Sequence, residues 1–597
     1  MGHNSAKMKH AQLLARLLFT CGLVVIHGQA TETAFPDELE AEYDYIVVGA
    51  GSAGCVVAGR LSEDRGVTVL LVEAGGDDRG NPFITVPAFA SLNFRTDNDW
   101  QYFTEPQPGV MKGFVNGRSY WPRGKVLGGT GSINGMQITR GSRHDFDRWA
   151  RYVRDNSWDY NHVLPYFKKM EDMLVPELRN SDYHGKGGPV PVSITEPLPI
   201  VDRLLEAGRD TGYTVNPDYN GATQEGISRP QVNVKFGQRW STSRAYIHPA
   251  LNRTNLHVSL NSTVTKVQID GDRTTGIVFI RNGKETEVKA RHEVILSAGT
   301  VGSPQILMLS GVGPKEHLEA LKIQVKRDLP VGYNLQDHLF FEVGIKINQS
   351  LTLNRHYRTD PANIIKYVIN GTGPLASPPY QALAFKSLSN NSSFPPELQL
   401  EFPVLLPGTS DGTLGYTPEI LAEMKKRDSA QYGLMCNPTL IRPKSRGRIT
   451  LRSDDPFDKP IIYANYLSDK DDIDVLIQGI RECEKIVNTS TMQAIGAELT
   501  DDTPVSQCSR FTFRSREYME CLVKLRPCSD YHPVGTCKMG PRDDPTAVVD
   551  SQLRVHGVRG LRVVDASIMP DIVSGNLQAS VIMIAEKVVD LIIKTLN

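Results

Sequence analysis

Three glycines near the N-terminus constrain this chain more than any other feature. Gly49, Gly51 and Gly54 follow an apolar run at 43–48 and precede a run of small residues at 55–61. This order is typical of a strand, a tight turn and a helix. In such a unit the first glycine permits the turn, the second lets a pyrophosphate approach the backbone, and the third lets the helix pack against the strand. The pattern therefore predicts a dinucleotide-binding fold.

The segment that follows the glycines supports the same prediction. A second apolar run, at 67–72, ends on Glu73. An acidic residue about 20 positions beyond the glycines can bind the hydroxyl groups of a ribose. Ser52 and Ala53 would begin the helix, whose free N–H groups and positive dipole end favour phosphate. A glycine-rich turn in some other α/β unit is the alternative interpretation.

The composition limits the classes of protein to which the chain can belong. Its 597 residues exceed one ordinary domain, which predicts two or more lobes. The 66 basic and 67 acidic residues give a formal charge of −1, so we expect no nucleic-acid partner. A hydrophobic content of 40% suffices for full cores and is too low for a polytopic membrane protein. We also expect no stable membrane insertion.

Residues 1–30 have the pattern of a secretory signal peptide. Lys7, Lys9 and Arg16 precede an apolar run at 17–26, which is too short to span a bilayer. We therefore expect a secreted, extracellular glycoprotein, with a retained anchor as the alternative. Seven Asn-x-Ser/Thr sequons agree with export: Asn252, Asn261, Asn348, Asn370, Asn390, Asn391 and Asn488.

Four cysteines late in the chain are candidates for a disulfide in an oxidising compartment. They are Cys508, Cys521, Cys528 and Cys537. The sequence does not give their pairing. Cys55 lies in the first predicted helix and is expected to be a small buried residue. No spacing of potential ligands indicates a metal site, and we predict none.

Further along the chain, small residues and apolar alternation predict more of the fold. A dense run of glycine and small polar residues at 124–135 indicates a packed loop close to a ligand. A helix is expected to be capped by Ser303, with Pro304 at its first position and Gly311 at its end. A long helix is predicted at 578–596. A short helix is expected at 243–251 and strands at 256–260, 264–269, 275–280, 293–297 and 560–566.

Together these segments resemble the glucose–methanol–choline (GMC) family of flavin oxidoreductases. The resemblance covers almost all of residues 43–597. It rests on the glycine triplet with Glu73, on the runs at 124–134, 299–313 and 331–338, and on the tail segment at 532–537. Within the family the chain is most similar to the secreted insect glucose dehydrogenase branch. The resemblance implies an α/β protein, α+β overall, with a Rossmann-like lobe for FAD and a substrate-binding lobe of antiparallel sheet and helices.

The two lobes are expected to alternate along the chain after the signal peptide at 1–30. The predicted FAD-binding lobe comprises 43–175, 241–338 and 529–597, the last part with the catalytic residues. The predicted substrate lobe comprises 176–240 and 339–528.

The resemblance also implies which residues contact FAD. Those expected at its ADP part are Gly49, Gly51, Ser52, Ala53, Gly54, Glu73 and, through its backbone, Val264. Those expected along the rest of the cofactor are Thr130, Asn134, Gly135, Asp565, Ala566, Asn576 and Leu577. Some members attach FAD covalently through a histidine immediately before the position of Asn134. Here that residue is Ile133, so FAD is expected to be non-covalent.

The resemblance places the catalytic base at His532 and a second catalytic position at Asn576. Oxidation of an alcohol removes a hydroxyl proton and a hydride; FAD accepts the hydride, so a base must accept the proton. A free imidazole, with a pKa of about 6.5, suits that role near neutral pH. The amide of Asn576 can hydrogen-bond the substrate oxygen without competing as a base. His338 and His556 lack comparable support and are expected to be structural.

The predicted function is oxidation of a primary or secondary alcohol, or a glucose-like sugar, with electrons passed to a quinone-type acceptor. Three alternatives stay open. The first is an oxidase that uses oxygen and acts on an aromatic or steroid alcohol. The second is a lyase with the same fold, and the third is a non-enzymatic protein that retains FAD. The substrate lobe decides between them, and its residues are not diagnostic in the sequence.

Overall fold

The computed structural model describes residues 34–36, 38–389, 395–405, 414–427, 430–501, 503 and 505–596. The predicted signal peptide at 1–30 and the sequons at Asn390 and Asn391 lie outside these residues. The other five sequon asparagines are all exposed: Asn252, Asn261, Asn348, Asn370 and Asn488. No helix within the described ranges is long and apolar enough to cross a membrane.

A seven-stranded sheet holds the glycine triplet at one edge. Its strands are Glu42–Val48, Val69–Val72, Leu256–Ser259, Ser262–Asp270, Arg273–Arg281, Lys284–Leu296 and Leu561–Val563. The strand before the triplet pairs in parallel with Val69–Val72 on one side and with Lys284–Leu296 on the other. The carboxyl ends of these parallel strands therefore meet at the same edge, where the glycines, Glu73 and Asp565 follow them. This is the arrangement that a dinucleotide-binding fold requires.

A second, eight-stranded sheet is antiparallel in each of its pairings. Its strands are Gly226–Ser228, Leu339–Phe340, Val343–Ile347, Tyr380–Lys386, Leu398–Pro403, Tyr432–Leu440, Glu498–Leu499 and Cys528–Ser529. The longest helix beside it, Lys470–Val487, packs against the strand Tyr432–Leu440. The predicted combination of a Rossmann-like sheet with an antiparallel sheet and helices is confirmed. The exact lobe boundaries stay a prediction.

The remaining elements connect and cover these sheets. The α-helices are Ser52–Leu61, Pro82–Thr85, Arg143–Val153, Tyr160–Met170, Ile200–Asp210, Gly299–Leu309, Lys315–Ala320, Pro361–Asn370, Pro418–Arg427, Lys470–Val487, Ser490–Gln493, Arg516–Leu525 and Gln578–Leu596. Two-stranded sheets pair Tyr102–Phe103 with Tyr120–Trp121, Glu171–Met173 with Val190–Val192, Val234–Lys235 with Gln238–Arg239, Val312–Gly313 with Arg327–Asp328, and Arg448–Thr450 with Ile461–Tyr463.

The C-terminal tail returns to the first sheet, as the sequence predicts. Leu561–Val563 pairs in parallel with the end of Lys284–Leu296. The last helix, Gln578–Leu596, packs against the helix that follows the glycine triplet. Arg60 of that first helix forms an ion pair of 2.8 Å with the buried Glu586 of the last helix. Distant parts of the chain thus build one hydrophobic core around the first sheet.

The predicted start of one helix is wrong. The sequence places its cap at Ser303 and its first position at Pro304, but the helix is Gly299–Leu309 and Pro304 lies inside it. The carboxylate of Asp565 accepts hydrogen bonds from the Gly299 backbone N–H, at 2.8 Å, and from the Ser303 hydroxyl, at 2.6 Å. Because this acceptor comes from the tail of the chain, no local pattern could reveal it.

Two disulfides stabilise the region of the second sheet. Cys508 and Cys521, both in the predicted cysteine group, are bonded to each other. The second bond, Cys436–Cys483, was not expected; it joins the central strand Tyr432–Leu440 to the helix Lys470–Val487. Cys55 is buried, as predicted, and so are Cys528 and Cys537, which carry no disulfide in the described part of the chain.

Removal of the disulfide inside the core should destabilise the protein. The bond Cys436–Cys483 closes a loop with a sequence separation of 47. We expect the double variant C436A/C483A to lose about 2–4 kcal/mol of unfolding free energy, because the unfolded chain is no longer restricted. The matched variant C508A/C521A should lose less, since its loop has a separation of 13. Thermal unfolding followed by circular dichroism compares them, and an unchanged midpoint for C436A/C483A would contradict this expectation.

Candidate active site

The glycine triplet forms the predicted turn between strand and helix. Gly49 has φ of 94°, and a Cβ there would lie 2.6 Å from the Ser297 carbonyl oxygen. A Cβ on Gly54 would lie 1.9 Å from the carbonyl oxygen of Gly49, so the close contact of helix and strand requires glycine. The helix begins at Ser52, after the N-cap residue Gly51, with no side-chain cap and no acidic residue in its first turn. This N-terminus is suited to bind an anion.

The second glycine run lies directly on the first. The Gly128 N–H donates to the Ala50 carbonyl at 2.8 Å, and a Cβ on Gly129 would lie 2.6 Å from the Cα of Gly51. The hydroxyl of Thr130 accepts a hydrogen bond from the Gly124 N–H at 3.1 Å. The run at 124–135 is therefore a packed loop at the helix N-terminus, as predicted.

Two buried hydrogen-bond donors beside this loop have no protein acceptor. Among the described residues, nothing accepts from the Nη2 of Arg239 or from the Nε2 of Gln578. Arg239 is held by hydrogen bonds from its Nη1 to Asn134 Oδ1, at 2.7 Å, and to the Gly131 carbonyl, at 3.3 Å. Burial alone lowers the pKa of Arg239 to about 9, so its charge is present at neutral pH. Gln578 Nε2 lies 3.4 Å from the place of a Cβ on Gly131.

These donors fit the cofactor that the family resemblance implies. A buried cation without a carboxylate partner is costly unless a ligand supplies the negative charge or the acceptor. FAD carries both, in its pyrophosphate and in the carbonyl groups of its ring. The helix N-terminus, Arg239 and Gln578 together therefore match a polar, anionic cofactor.

The acidic residues predicted at the cofactor lie at the ends of the parallel strands. Glu73 accepts hydrogen bonds from the N–H groups of Ala50 and Gly75, both at 2.8 Å, and burial raises its pKa to about 7. Each carboxylate oxygen keeps a further lone pair for a ribose hydroxyl. Asp565 is also buried, which raises its pKa, and its Oδ1 accepts from the Ser567 N–H at 2.8 Å.

The other predicted cofactor residues lie around the same edge. Val264 stands next to an irregularity in the pairing of its strand, which falls between Val264 and Lys266. A Cβ on Gly135 would lie 3.3 Å from the ring of Tyr380, so this loop also meets the second sheet. Ala566 begins a 3₁₀ turn at the end of the tail strand. Leu577 is buried immediately before the last helix.

His532 is oriented by two neighbouring side chains. Its Nδ1 lies 3.1 Å from the Nδ1 of His338 and 3.0 Å from the Oδ2 of Asp530. The Nε2 of His338 lies 3.1 Å from the Ile441 carbonyl, which can only accept, so we assign a proton to that nitrogen. The Nδ1 of the neutral His338 is then an acceptor, and the Nδ1 of His532 must donate. In a neutral imidazole this assignment places the ring proton of His532 on Nδ1, so that Nε2 is the nitrogen that can act as a base.

His338, which the sequence analysis expects to be structural, lies against the predicted catalytic base. Its ring is fully buried, which lowers its pKa well below the ordinary value, and it contacts the predicted base edge to face. The sequence feature that could have indicated this contact is the position of His338 at the end of the run at 331–338. His556, in contrast, contacts the Gly540 carbonyl at 3.1 Å.

Asp337 fixes the backbone that carries His532. It accepts from the His532 N–H at 2.8 Å and from the hydroxyls of Ser529 and Tyr466, each at 2.5 Å. Burial raises its pKa to about 6. The intervening Tyr531 has φ of 62°, a conformation that non-glycine residues adopt at some cost and that occurs often at active sites. No feature of the sequence distinguishes Asp337 from the other residues of the run at 331–338.

Asn576 lies where the two sheets meet. Its Oδ1 accepts from the Thr139 hydroxyl at 3.2 Å. Its side chain also lies close enough to the carboxyl group of Glu401, on the second sheet, to influence the pKa of that group. Burial and the nearby charge of Asp530 raise the pKa of Glu401 well above the ordinary value.

Comparison with known proteins agrees with this arrangement. The family described as GMC oxidoreductase matches the chain with its N-terminal part at residues 43–340 and with its C-terminal part at 443–585. A glucose dehydrogenase [FAD, quinone] of Drosophila pseudoobscura pseudoobscura is 41% identical over 575 residues, covering 95% of this chain and 89% of the relative.

A relative and a solved structure from other organisms extend the likeness. The mitochondrial choline dehydrogenase of Mus musculus is 38% identical over 566 residues, covering 92% of this chain and 89% of the relative. The crystal structure of pyridoxine 4-oxidase from Mesorbium loti superposes with a TM-score of 0.78 at 27% identity, covering 92% of this chain and 99% of that one. The chain belongs to the GMC oxidoreductase family.

Proposed function

We propose that this protein binds FAD non-covalently and oxidises a primary or secondary alcohol or a glucose-like sugar, with electrons passed to a quinone-type acceptor. The observation that carries the proposal is the orientation of the His532 ring: its Nδ1 lies 3.1 Å from the Nδ1 of His338 and 3.0 Å from the Oδ2 of Asp530, so that Nε2 is the nitrogen left for the substrate. The printed names of the relatives support the choice of substrates: one is a glucose dehydrogenase [FAD, quinone] and another a choline dehydrogenase.

The residues that would hold FAD come from both glycine runs and from the ends of the parallel strands. The helix N-terminus at Ser52 and Ala53 would bind the pyrophosphate, and Glu73 the ribose of the ADP part. Arg239 and Gln578 would donate to the acceptors of the cofactor. Ile133 precedes Asn134, so no histidine stands there to form a covalent link. When bound, FAD supplies the acceptor for the hydride of the substrate.

Side chains of the protein would bind the hydroxyl group of the substrate and accept its proton. His532 would accept the hydroxyl proton at Nε2, while its Nδ1–H stays hydrogen-bonded to the Nδ1 of His338. The positive charge that then forms on the ring is stabilised by the carboxylate of Asp530, 3.0 Å away. Because the Oδ1 of Asn576 accepts from Thr139, its N–H groups would be the donors to the substrate oxygen.

Anaerobic flavin absorbance tests this proposal. The purified protein is mixed with glucose, choline, 1-propanol and benzyl alcohol in separate samples. We expect glucose to bleach the flavin, and quinone to restore the absorbance faster than air does. Faster recovery in air would indicate an oxidase instead. A flavin that stays oxidised with each alcohol would contradict the proposal and favour the lyase or the non-enzymatic protein, and absence of flavin would contradict its first part.

We also propose that the protein is exported and glycosylated. The N-terminal pattern and the five exposed sequon asparagines support this. Treatment of the protein from an insect-cell culture medium with an N-glycosidase should increase its electrophoretic mobility. Retention inside the cells with unchanged mobility would contradict export.

A further inference from the structure

Three side chains of the kind that bind metal ions lie together at the predicted catalytic base. They are His338, Asp530 and His532, and one potential ligand atom of each lies within 4.8 Å of the other two. The Nδ1 of His532 is 3.1 Å from the Nδ1 of His338 and 3.0 Å from the Oδ2 of Asp530. No spacing in the sequence indicates this group, because 194 positions separate the two histidines.

The second sheet fixes the backbone of this group. His338 immediately precedes the strand Leu339–Phe340, and Asp530 immediately follows the strand Cys528–Ser529, which is its antiparallel partner. The N–H of Asp530 donates to the His338 carbonyl at 2.9 Å, so the pairing continues to these two residues. His532 follows two positions later. The three side chains are therefore held close together by the fold itself, without an ion.

The hydrogen bonds of His338 leave its Nδ1 lone pair for a proton or a cation. Its Nε2 lies 3.1 Å from the Ile441 carbonyl, so that nitrogen carries the ring proton. Histidines that bind metal ions usually donate their other ring N–H to a carbonyl or carboxylate, which fixes both the tautomer and the orientation of the ring. His338 has this arrangement, and its unprotonated Nδ1 faces His532.

Asp530 has an acceptor that the protein does not use. Its Oδ2 is buried, and no donor among the described residues forms a hydrogen bond with it. A buried carboxylate oxygen without a donor or a cation is costly. The single ring proton between His532 and His338 does not remove this cost. A dication bound to the Oδ2 and to both Nδ1 atoms would supply the missing positive charge.

The separations between these atoms are close to those around a tetrahedral ion. Ligand atoms about 2.0–2.1 Å from Zn²⁺ lie about 3.3–3.4 Å from each other. The two separations at His532, 3.0 and 3.1 Å, are slightly shorter. The ion would take the place of the ring proton on Nδ1, so small rotations of the side chains make room for it. His532 and Asp530 keep exposed side-chain fractions of 16% and 12%, which admits the ion and a water as the fourth ligand.

We propose that His338, His532 and Asp530 form an inhibitory Zn²⁺ site, in which both Nδ1 atoms and the Oδ2 bind the ion. Two imidazoles and one carboxylate, with water in the fourth position, are a common ligand set for Zn²⁺. Binding at Nδ1 moves the ring proton of His532 to Nε2, the nitrogen that would otherwise accept the proton of the substrate. No electron is transferred and no proton is lost. The inhibition rests on the proposed function, whereas the binding of zinc does not.

Direct zinc binding tests the site without any substrate. The FAD-loaded protein, purified without a histidine tag, competes with a chromogenic chelator for Zn²⁺. Asp530→Asn keeps the shape of the side chain and removes its charge, so it should weaken zinc binding about 100-fold. His338→Gln is the second variant, in case Asp530→Asn does not fold. His162→Ala should bind zinc as the wild type does, because His162 forms its histidine–carboxylate pair with Asp159 at the surface, with 2.8 Å between Nδ1 and Oδ1.

Anaerobic flavin reduction gives a second readout. One equivalent of Zn²⁺ should slow the reduction about 100-fold or more in the wild type and in His162→Ala, because the ion blocks the base. A chelator should restore the rate. The residual reduction in Asp530→Asn should not respond to the same zinc concentration. Equal zinc binding by the wild type, Asp530→Asn and His338→Gln would overturn the site, and full flavin reduction by the zinc-loaded wild type would overturn the inhibition.

The two proposals fail in different ways. If no alcohol bleaches the flavin, but the wild type binds zinc and Asp530→Asn binds it more weakly, the metal site stands and the proposed oxidation is wrong. If an alcohol bleaches the flavin and the wild type binds zinc no more tightly than Asp530→Asn and His338→Gln, the oxidation stands and the metal site is wrong.

Discussion

Replacement of His532 by alanine is expected to lower the rate of flavin reduction about 10²- to 10⁴-fold, the usual contribution of a positioned general base. The physical reason is the arrangement of protons around the ring. His338 and Asp530 both face the Nδ1 of His532, so the Nε2 is the nitrogen that can accept a proton from the substrate. Without this imidazole the hydroxyl proton has no comparable acceptor. Rapid mixing of glucose with the variant under anaerobic conditions measures the rate.

The control for this experiment is His556→Ala. His556 is a second half-buried histidine, and its Nε2 contacts the Gly540 carbonyl at 3.1 Å. Its loss should leave the rate of flavin reduction within a factor of two of the wild type. Both variants should keep the flavin-to-protein absorbance ratio, since neither residue is among the proposed cofactor contacts. A His532→Ala variant that reduces its flavin at the wild-type rate would exclude His532 as the base.

The sequence was sufficient to predict the residues whose roles depend on local patterns. The turn at Gly49 and the close contact at Gly54 depend on the backbone of one short segment. The spacing of the glycines is therefore enough to predict both. The packed loop at 124–135 follows from its density of small residues. His532 and Asn576 came from the family resemblance, and the structure adds the neighbours that orient them.

Residues that act through distant partners were not accessible in the same way. His338 is 194 positions from His532, and only the fold brings the two Nδ1 atoms to 3.1 Å. Glu401 meets Gln137 across a separation of 264. Asp565 caps a helix that begins 266 positions earlier. A single sequence does not show which distant residues are in contact, so these pairs become visible only in the folded structure.

Arg239 provides the second prediction with a large effect. Replacement by methionine, which has a similar length and no charge, should weaken FAD binding about 10- to 100-fold. Hydrogen bonds from charged groups contribute about 1.5–3 kcal/mol, and the free Nη2 is a donor of that kind. In the FAD-free protein the same change removes a buried cation without a carboxylate partner, but it also removes the donors to Asn134 and to the Gly131 and Ile84 carbonyls. We therefore expect a smaller loss of unfolding free energy than the loss from breaking a buried ion pair. Equilibrium dialysis of FAD and thermal unfolding with and without added FAD measure the two effects.

Arg140 is the matched control, because it is as buried as Arg239 but forms an ion pair with Glu171. Arg140→Met breaks this buried ion pair and leaves Glu171 with the His184 ring, whose Nδ1 lies 2.7 Å from Oε1. It should therefore lower the unfolding free energy by about 3–5 kcal/mol with or without FAD. Comparison of the two variants thus distinguishes an arginine that binds a ligand from one that stabilises the fold. The contrary result would be an Arg239→Met variant that binds FAD as tightly as the wild type and unfolds at a lower temperature with and without FAD. In that case Arg239 stabilises the fold, as Arg140 does, and other residues donate hydrogen bonds to the cofactor.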